Sequence, residues 1–158
     1  MGETLDNSFY TKLLYPFQDQ VLRIVTNLET GFYLTGGTAV SRGYLNHRFS
    51  DNLDLFVNYN SQFRFWTEQI IHALSQKTNW ETQVLLRQEY FVRLNLIRPE
   101  VSLKLEFVND VPSHVGEFKQ DPVLGRIDSA ENILANKVNA VLDRQAPKDF
   151  ADIWGFCC

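Results

Sequence analysis

FYLTGGTAVSRGYLNHRFSDNLDLFVN, residues 32–58, decides how the rest of the chain is read. An apolar run, Phe32 to Thr35, leads into Gly36-Gly37-Thr38 and a short helix predicted over Thr38–Tyr44, which Gly43 weakens. The basic pair His47-Arg48 follows, then a strand predicted over Asn52–Val57. Paired glycines let the backbone turn sharply and let a ligand come close, because no side chain is in the way. In the strand, Leu53, Leu55 and Val57 share one face, and Asn52, Asp54 and Phe56 the other. Thr38 and the Gly37–Ala39 amides stand at a helix N-terminus, where free N–H groups and the helix dipole favour anions.

Upstream, Leu13, Leu14, Phe17, Val21, Ile24, Val25 and Leu28 recur at helical spacing within residues 6–28. Pro16 is expected to split that segment and Gly31 to end it. Downstream, Ser61 is a candidate N-cap for a helix to about Lys77, with Phe65, Ile70 and Leu74 inward. Three strand-like runs follow: Glu81–Arg87, Tyr90–Ile97 and Val101–Val108. Asn109–Arg126, with Pro112, Gly116, Pro122 and Gly125, reads as a long loop, and a loop of that length suggests function or mobility. Ser129 caps a helix from Ala130 to about Asp143, and Pro147 opens a last one through Trp154. The order of elements gives an α/β or α+β domain with a mixed sheet.

The chain has 158 residues, 44% hydrophobic and 13% aromatic, which suits a single folded domain over 1–158 with a real core. No apolar run approaches the ~20 residues of a membrane span. The start, MGETLDNSFY, lacks the pattern of a signal peptide, and Gly2 has no Ser or Thr at position 6 to complete a myristoylation motif. Cys157 and Cys158, adjacent and terminal, form no disulfide framework; free thiols in a cytoplasmic protein are the simplest reading. The apolar ending IWGFCC suggests truncation at the C-terminus or an end that packs on the domain itself. A net charge of −4 argues against a general nucleic-acid binder. Arg42, Arg48, Arg87, Arg93 and Arg98 are either a local basic patch or scattered solvated charges. His47, His72 and His114 are isolated, so no zinc-like cluster is visible.

Three blocks carry a resemblance: Leu34-Thr35-Gly36-Gly37-Thr38-Ala39, His47-Arg48-Phe49-Ser50 and Asn52-Leu53-Asp54-Leu55-Phe56. A C-terminal pattern joins them: Lys137, Ala140, Arg144, Lys148-Asp149 and Asp152-Ile153. Together they resemble the nucleotidyltransferase-like AbiEii/AbiGii toxin family, within the DNA polymerase beta-like superfamily, over about residues 30–155. The resemblance implies a small nucleotidyltransferase sheet flanked by helices. It also implies Mg²⁺-dependent transfer of a nucleotide from a nucleoside triphosphate to an acceptor, with RNA a candidate. A toxin–antitoxin or phage-defence setting, and with it an antitoxin partner, follows from the same likeness.

Nucleotidyl transfer of this kind uses carboxylates to hold cations against the reacting oxygens. Acids at i and i+2 on a strand point to one face, and a third on a neighbouring strand completes the set. By resemblance Asn52, Asp54 and Glu106 occupy the metal positions, with Asp54 and Glu106 catalytic. Gly36, Gly37, Thr38, Arg48 and Lys137 would bind the nucleotide. Lys137 is read as either snorkelling to solvent or aimed into a cleft to neutralise phosphate charge, on a helix face with Ile133, Leu134, Val138 and Val141. Asp149 is a candidate for orienting Lys137 or the acceptor, and Asp152 reads as mainly structural. Arg48 is expected to pair with phosphate or with Asp51.

The departure from the family pattern is Asn52, which stands where the first acid of the Asp-x-Asp pair is expected. Asp51 is one residue early, on the opposite strand face, and cannot replace it without a bend. Three explanations stay open: a degenerate member that binds nucleotide or a partner without turnover, an enzyme working with fewer carboxylates, or an introduced substitution. Transfer to a small molecule such as an antibiotic is a further option that nothing in the sequence favours.

Overall fold

The computed structural model describes residues 7–158; the leader and Gly2 readings lie outside them. A π-helical turn, Tyr10–Leu14, runs without a break into α1, Tyr15–Asn27. Pro16 therefore does not split the segment; it occupies the first turn of α1, where a missing N–H costs nothing.

β1 (Tyr33–Thr35) enters the glycine turn, which continues as a helical turn Gly36–Thr38 and a π-helix Ala39–Leu45. β2 is Leu53–Asn58 and α2 is Phe63–Ser75. Then come β3 (Glu81–Arg87), β4 (Phe91–Ile97) and β5 (Ser102–Asp110). Two short strands, β6 (Lys119–Asp121) and β7 (Gly125–Ile127), precede α3 (Ala130–Arg144) and α4 (Pro147–Cys157).

All seven strands form one sheet, in the order β3-β4-β5-β2-β1-β7-β6. It is mixed: β2 pairs parallel with β5 and β1 parallel with β7, while the other neighbours are antiparallel. Leu53, Leu55, Val57, Leu94, Leu103, Leu105 and Phe107 make the core face, against Phe17 and Val21 of α1 and Ile70 and Leu74 of α2. The opposite face carries Asp54, Arg93 and Glu106, only partly covered by helix α3. That asymmetry leaves a polar floor open to solvent.

Several local expectations change. Gln62, not Ser61, precedes α2, and its side chain makes no capping bond. Phe65 is 58% exposed, and Phe63, Thr67 and Ile71 take the inward positions instead. The helix therefore starts one residue later than read, and Phe63, Thr67, Ile70, Ile71 and Leu74 form its buried face. The long loop contains the β6–β7 hairpin, whose turn is closed by the Val123 and Leu124 amides donating to Asp121 Oδ1. Ser129 does cap α3, accepting from the Asn132 amide. Val138, read as inward on that helix, is 45% exposed.

Candidate functional site

Asp54 and Glu106 meet by register. The parallel β2–β5 ladder sets them directly opposite one another, and β1 sets Thr35 against Asp54 on the other side. Burial raises the Asp54 carboxyl to about 6, and the neighbouring Glu106 charge pushes it the same way against the fields of Lys137, Lys104 and Lys148. Arg93, opposite Glu106 on β4, places Nε and Nη2 each 2.9 Å from Glu106 Oε1.

The glycine turn is shaped around these groups. Gly36 has φ +69°, and a Cβ there would fall on Asp54 Oδ2. A Cβ on Gly37 would come within 2.6 Å of Arg48 Nη2. Glycine is thus required at Gly36 by conformation and space together, whereas at Gly37 a Cβ would meet the movable end of the Arg48 side chain. Thr38 is fully buried; its hydroxyl donates to the Asn52 carbonyl and lies 2.9 Å from Ser50 Oγ. Its hydroxyl therefore ties the turn to the start of β2, so any contact to phosphate falls to the backbone amides.

Lys137 settles its own question of direction. It is 6% exposed, with Nζ 2.8 Å from Asp149 Oδ1 and 2.9 Å from Asp152 Oδ2. It faces inward and does not snorkel. Arg144 adds two bonds to Asp149, through Nε at 2.8 Å and Nη2 at 3.1 Å. Burial alone would raise Asp149, but the hydrogen bonds from Arg144 and Lys137 outweigh it and hold the carboxyl at about 2. Asp152, also fully buried, is bound by Arg48 through Nε and Nη2 at 2.8 Å each and lies 2.8 Å from His47 Nε2. Its carboxyl is likewise held down, burial being outweighed by Arg48 and Lys137. Arg48 thus pairs with Asp152 and not with Asp51, which instead accepts the Tyr10 hydroxyl.

Two clefts open from this centre and share Gly36, Asp54, Glu106, Lys137 and Arg144. One, of about 430 Å³, is polar and basic at its rim, with Gly37, Arg48, Asn52, Lys104 and Lys148. The other, of about 360 Å³, has an apolar wall of Phe56, Val108, Ile133 and Ala140. A larger cleft of about 750 Å³, between α2 and the β3–β4 turn, contains none of the expected site residues. Every residue expected at the site except Thr38 and Asp149 lines one of the two central clefts, and both of those stand directly behind it.

The basic patch does not form as a unit. Arg48 and Arg93 reach the cleft, whereas Arg42 binds Asp19, Arg87 binds Glu68 and Arg98 lies over Phe17 and Trp80. Asp152 ties Lys137, Arg48 and His47 together from a fully buried position. Arg93 and Ser50 were not singled out for the site; the register of Arg93 opposite Glu106 becomes visible only once β4 and β5 are paired.

Among the described residues no group of three or more acids, histidines or cysteines gathers at one point. Oxygen-bearing residues lining the basic cleft are Asp54, Glu106, Asn52 and also Asp51, which is not turned to an opposite strand face because β2 begins only at Leu53. Those are hard oxygen donors, and they fit a divalent cation of the Mg²⁺ type, which keeps several waters and needs few protein ligands.

The fold has known counterparts. JHP933 from Helicobacter pylori superposes with a TM-score of 0.62 at 24% identity, over 86% of this chain and 62% of that one. MenT4, the nucleotidyltransferase toxin Rv2826c from Mycobacterium tuberculosis, gives 0.64 at 18%, over 89% and 56%. The antibiotic-resistance factor ANT(2'')-Ia gives 0.60 at 14%, over 90% and 83%. The chain thus spans less than two thirds of the first two structures. No curated protein matches it. Residues 21–155 match the family described as nucleotidyl transferase AbiEii toxin, type IV TA system, and the chain belongs to that family.

Proposed function

We propose that this domain transfers a nucleotide from a nucleoside triphosphate to an acceptor hydroxyl, with RNA as the first acceptor to test. The observation that carries the reading is the Asp54–Glu106 pair, side by side in register at the junction of two clefts, beneath a glycine turn and beside a buried lysine.

The basic cleft takes the triphosphate. The amides of Gly37 and Thr38, with Arg48 and Lys137, are suited to its oxygens. The acceptor oxygen attacks the α-phosphorus, the bond to the oxygen bridging to the β-phosphorus breaks, and pyrophosphate leaves with that electron pair. The acceptor's proton passes to a carboxylate of the pair. Asp54, Glu106 and Asn52 would hold Mg²⁺, which supplies charge stabilisation to the transferring phosphoryl group. Asp149 and Asp152 act through Lys137 and Arg48 as positioning residues, because both carboxylates are fully buried behind them.

A toxin–antitoxin setting with an antitoxin partner goes with the family, and a cytoplasmic site of action with an intracellular acceptor. Among the described residues no helix is long and apolar enough to cross a membrane.

A second reading, nucleotide binding without turnover, draws on Asn52, which removes one negative charge from the donor set. Labelled triphosphates incubated with total RNA separate the two. Incorporation that Glu106→Ala abolishes supports transfer. Calorimetric binding of nucleotide with Mg²⁺ and no incorporation supports the second reading. No binding at millimolar nucleotide, and no effect of Asp54→Ala, defeats both.

A further inference from the structure

Glu106 and Asp54 share the floor of the cleft but not their surroundings. Asp54 feels Lys137, Lys104 and Lys148 only through their fields. Glu106 has cations in contact: Arg93 Nε and Nη2 at 2.9 Å, and Lys104 Nζ at 3.6 Å, all on the single oxygen Oε1. Arg93 is the tighter of the two partners, and it is not locked in place. Its side chain is 39% exposed, and in the same position its guanidinium lies 5.2 Å from the Phe91 ring centroid. This contrasts with Arg48, whose guanidinium is held by a carboxylate with no exposure at all.

An ion pair this open to water contributes little. A divalent cation attracted by two carboxylates therefore displaces it at small cost. The released guanidinium does not lack a partner, because its planar fork fits phosphate as well as carboxylate. Arg93 lines the same basic cleft as Gly37 and Lys148, so a phosphate bound there lies within its surroundings.

We infer that Arg93 is an exchangeable counter-ion: it covers Glu106 in the absence of a divalent cation and moves to a nucleotide phosphate oxygen when the cation takes Glu106. The inference rests on the proposed nucleotidyl-transfer reading of the cleft. Its consequence is positive coupling, in which cation and nucleotide each strengthen the binding of the other. Without nucleotide the cation must displace Arg93 at a loss; with nucleotide the same displacement creates a new contact.

Calorimetry on the whole chain tests this. Mn²⁺ alone, and α,β-methylene nucleoside triphosphates in saturating Mn²⁺, are titrated into wild type, Arg93→Gln and Arg93→Lys, with circular dichroism to confirm folding. Arg93→Gln is expected to bind Mn²⁺ alone about threefold more tightly and the analogue about tenfold more weakly. Arg93→Lys, which keeps the charge, is expected to recover part of the analogue affinity. Mn²⁺ affinity in Arg93→Gln at or below that of wild type overturns the inference, as does unchanged analogue affinity. If wild type binds both and Arg93→Gln matches it, only this inference falls. If wild type binds neither, the proposed function falls with it.

Discussion

Asp54 and Glu106 are register partners on neighbouring parallel strands, on the sheet face that the helices leave open. Two carboxylates so placed repel each other, and the fold keeps them together through the lysine and arginine groups ringed around them. The arrangement opposes local stability, as sites organised for chemistry commonly do.

The pH dependence of stability follows with a definite sign. Asp54 is raised to about 6, so its ionisation costs folding energy that appears as pH rises through 6 and vanishes below about 4. Asp54→Asn is expected to stabilise the protein at pH 7 by at most roughly 2–3 kcal/mol, with the gain disappearing near pH 4. Thermal denaturation of both proteins across pH 4–8 measures it; parallel curves would show that Asp54 is not perturbed.

Asp149 works in the opposite sense. Its carboxyl is held at about 2, so the stability it contributes is present above about pH 4 and is lost as the pH falls toward 2. Lys137→Met is the test at neutral pH, because it removes the one cation that the buried Asp149 and Asp152 share, leaving Asp149 on Arg144 and Asp152 on Arg48 and His47. The expected loss is about 1–3 kcal/mol, a fall in Tm of roughly 2–12 °C. A loss within experimental error would mean the two carboxylates are satisfied without Lys137.

Gly36→Ala asks the turn to hold φ +69° and puts a methyl on Asp54. A cost of about 1–3 kcal/mol is expected, together with loss of nucleotide binding. Gly155→Ala offers a comparison remote from the cleft, since its Cβ meets only the flexible end of Leu45. Equal nucleotide affinity in wild type and Gly36→Ala would remove the turn from the phosphate site.

Asn52→Asp restores the carboxylate expected at that position. Mn²⁺ affinity should rise on the order of tenfold, since an added unit charge nearby is worth a kcal/mol or more. Asp54 should titrate higher still, as a third negative charge joins the pair. Carboxyl chemical shifts followed against pH record the second effect and calorimetry the first. If neither moves, residue 52 does not face the cation.

How much of this was legible in the sequence depends on the range of the forces involved. Gly36-Gly37-Thr38 and the alternation of Leu53 to Val57 are local, and both appear where their chemistry puts them. The same holds for the Ser129 cap and the Pro147 helix start. Phe65 and Ser61 misled because helical spacing alone leaves the phase of a helix open by a residue or two; the packing of Phe63 and Ile70 on the sheet chose it. The β6–β7 hairpin was hidden because three-residue strands carry no periodicity, and pairing with β1 creates them.

By itself the sequence determined the glycine turn and the alternation along β2, which are matters of residue type at short spacing, while its resemblance to a known family supplied the fold and the candidate carboxylates. Only the tertiary structure decided which charges meet. Lys137 is twelve residues from Asp149, and Arg48 is 104 from Asp152. Nothing local distinguishes these pairs from Arg48 with Asp51. Burial made the choice: charges removed from water must find opposite charges within a few ångströms, and the packing of α3 and α4 beside the glycine turn determines which ones are there.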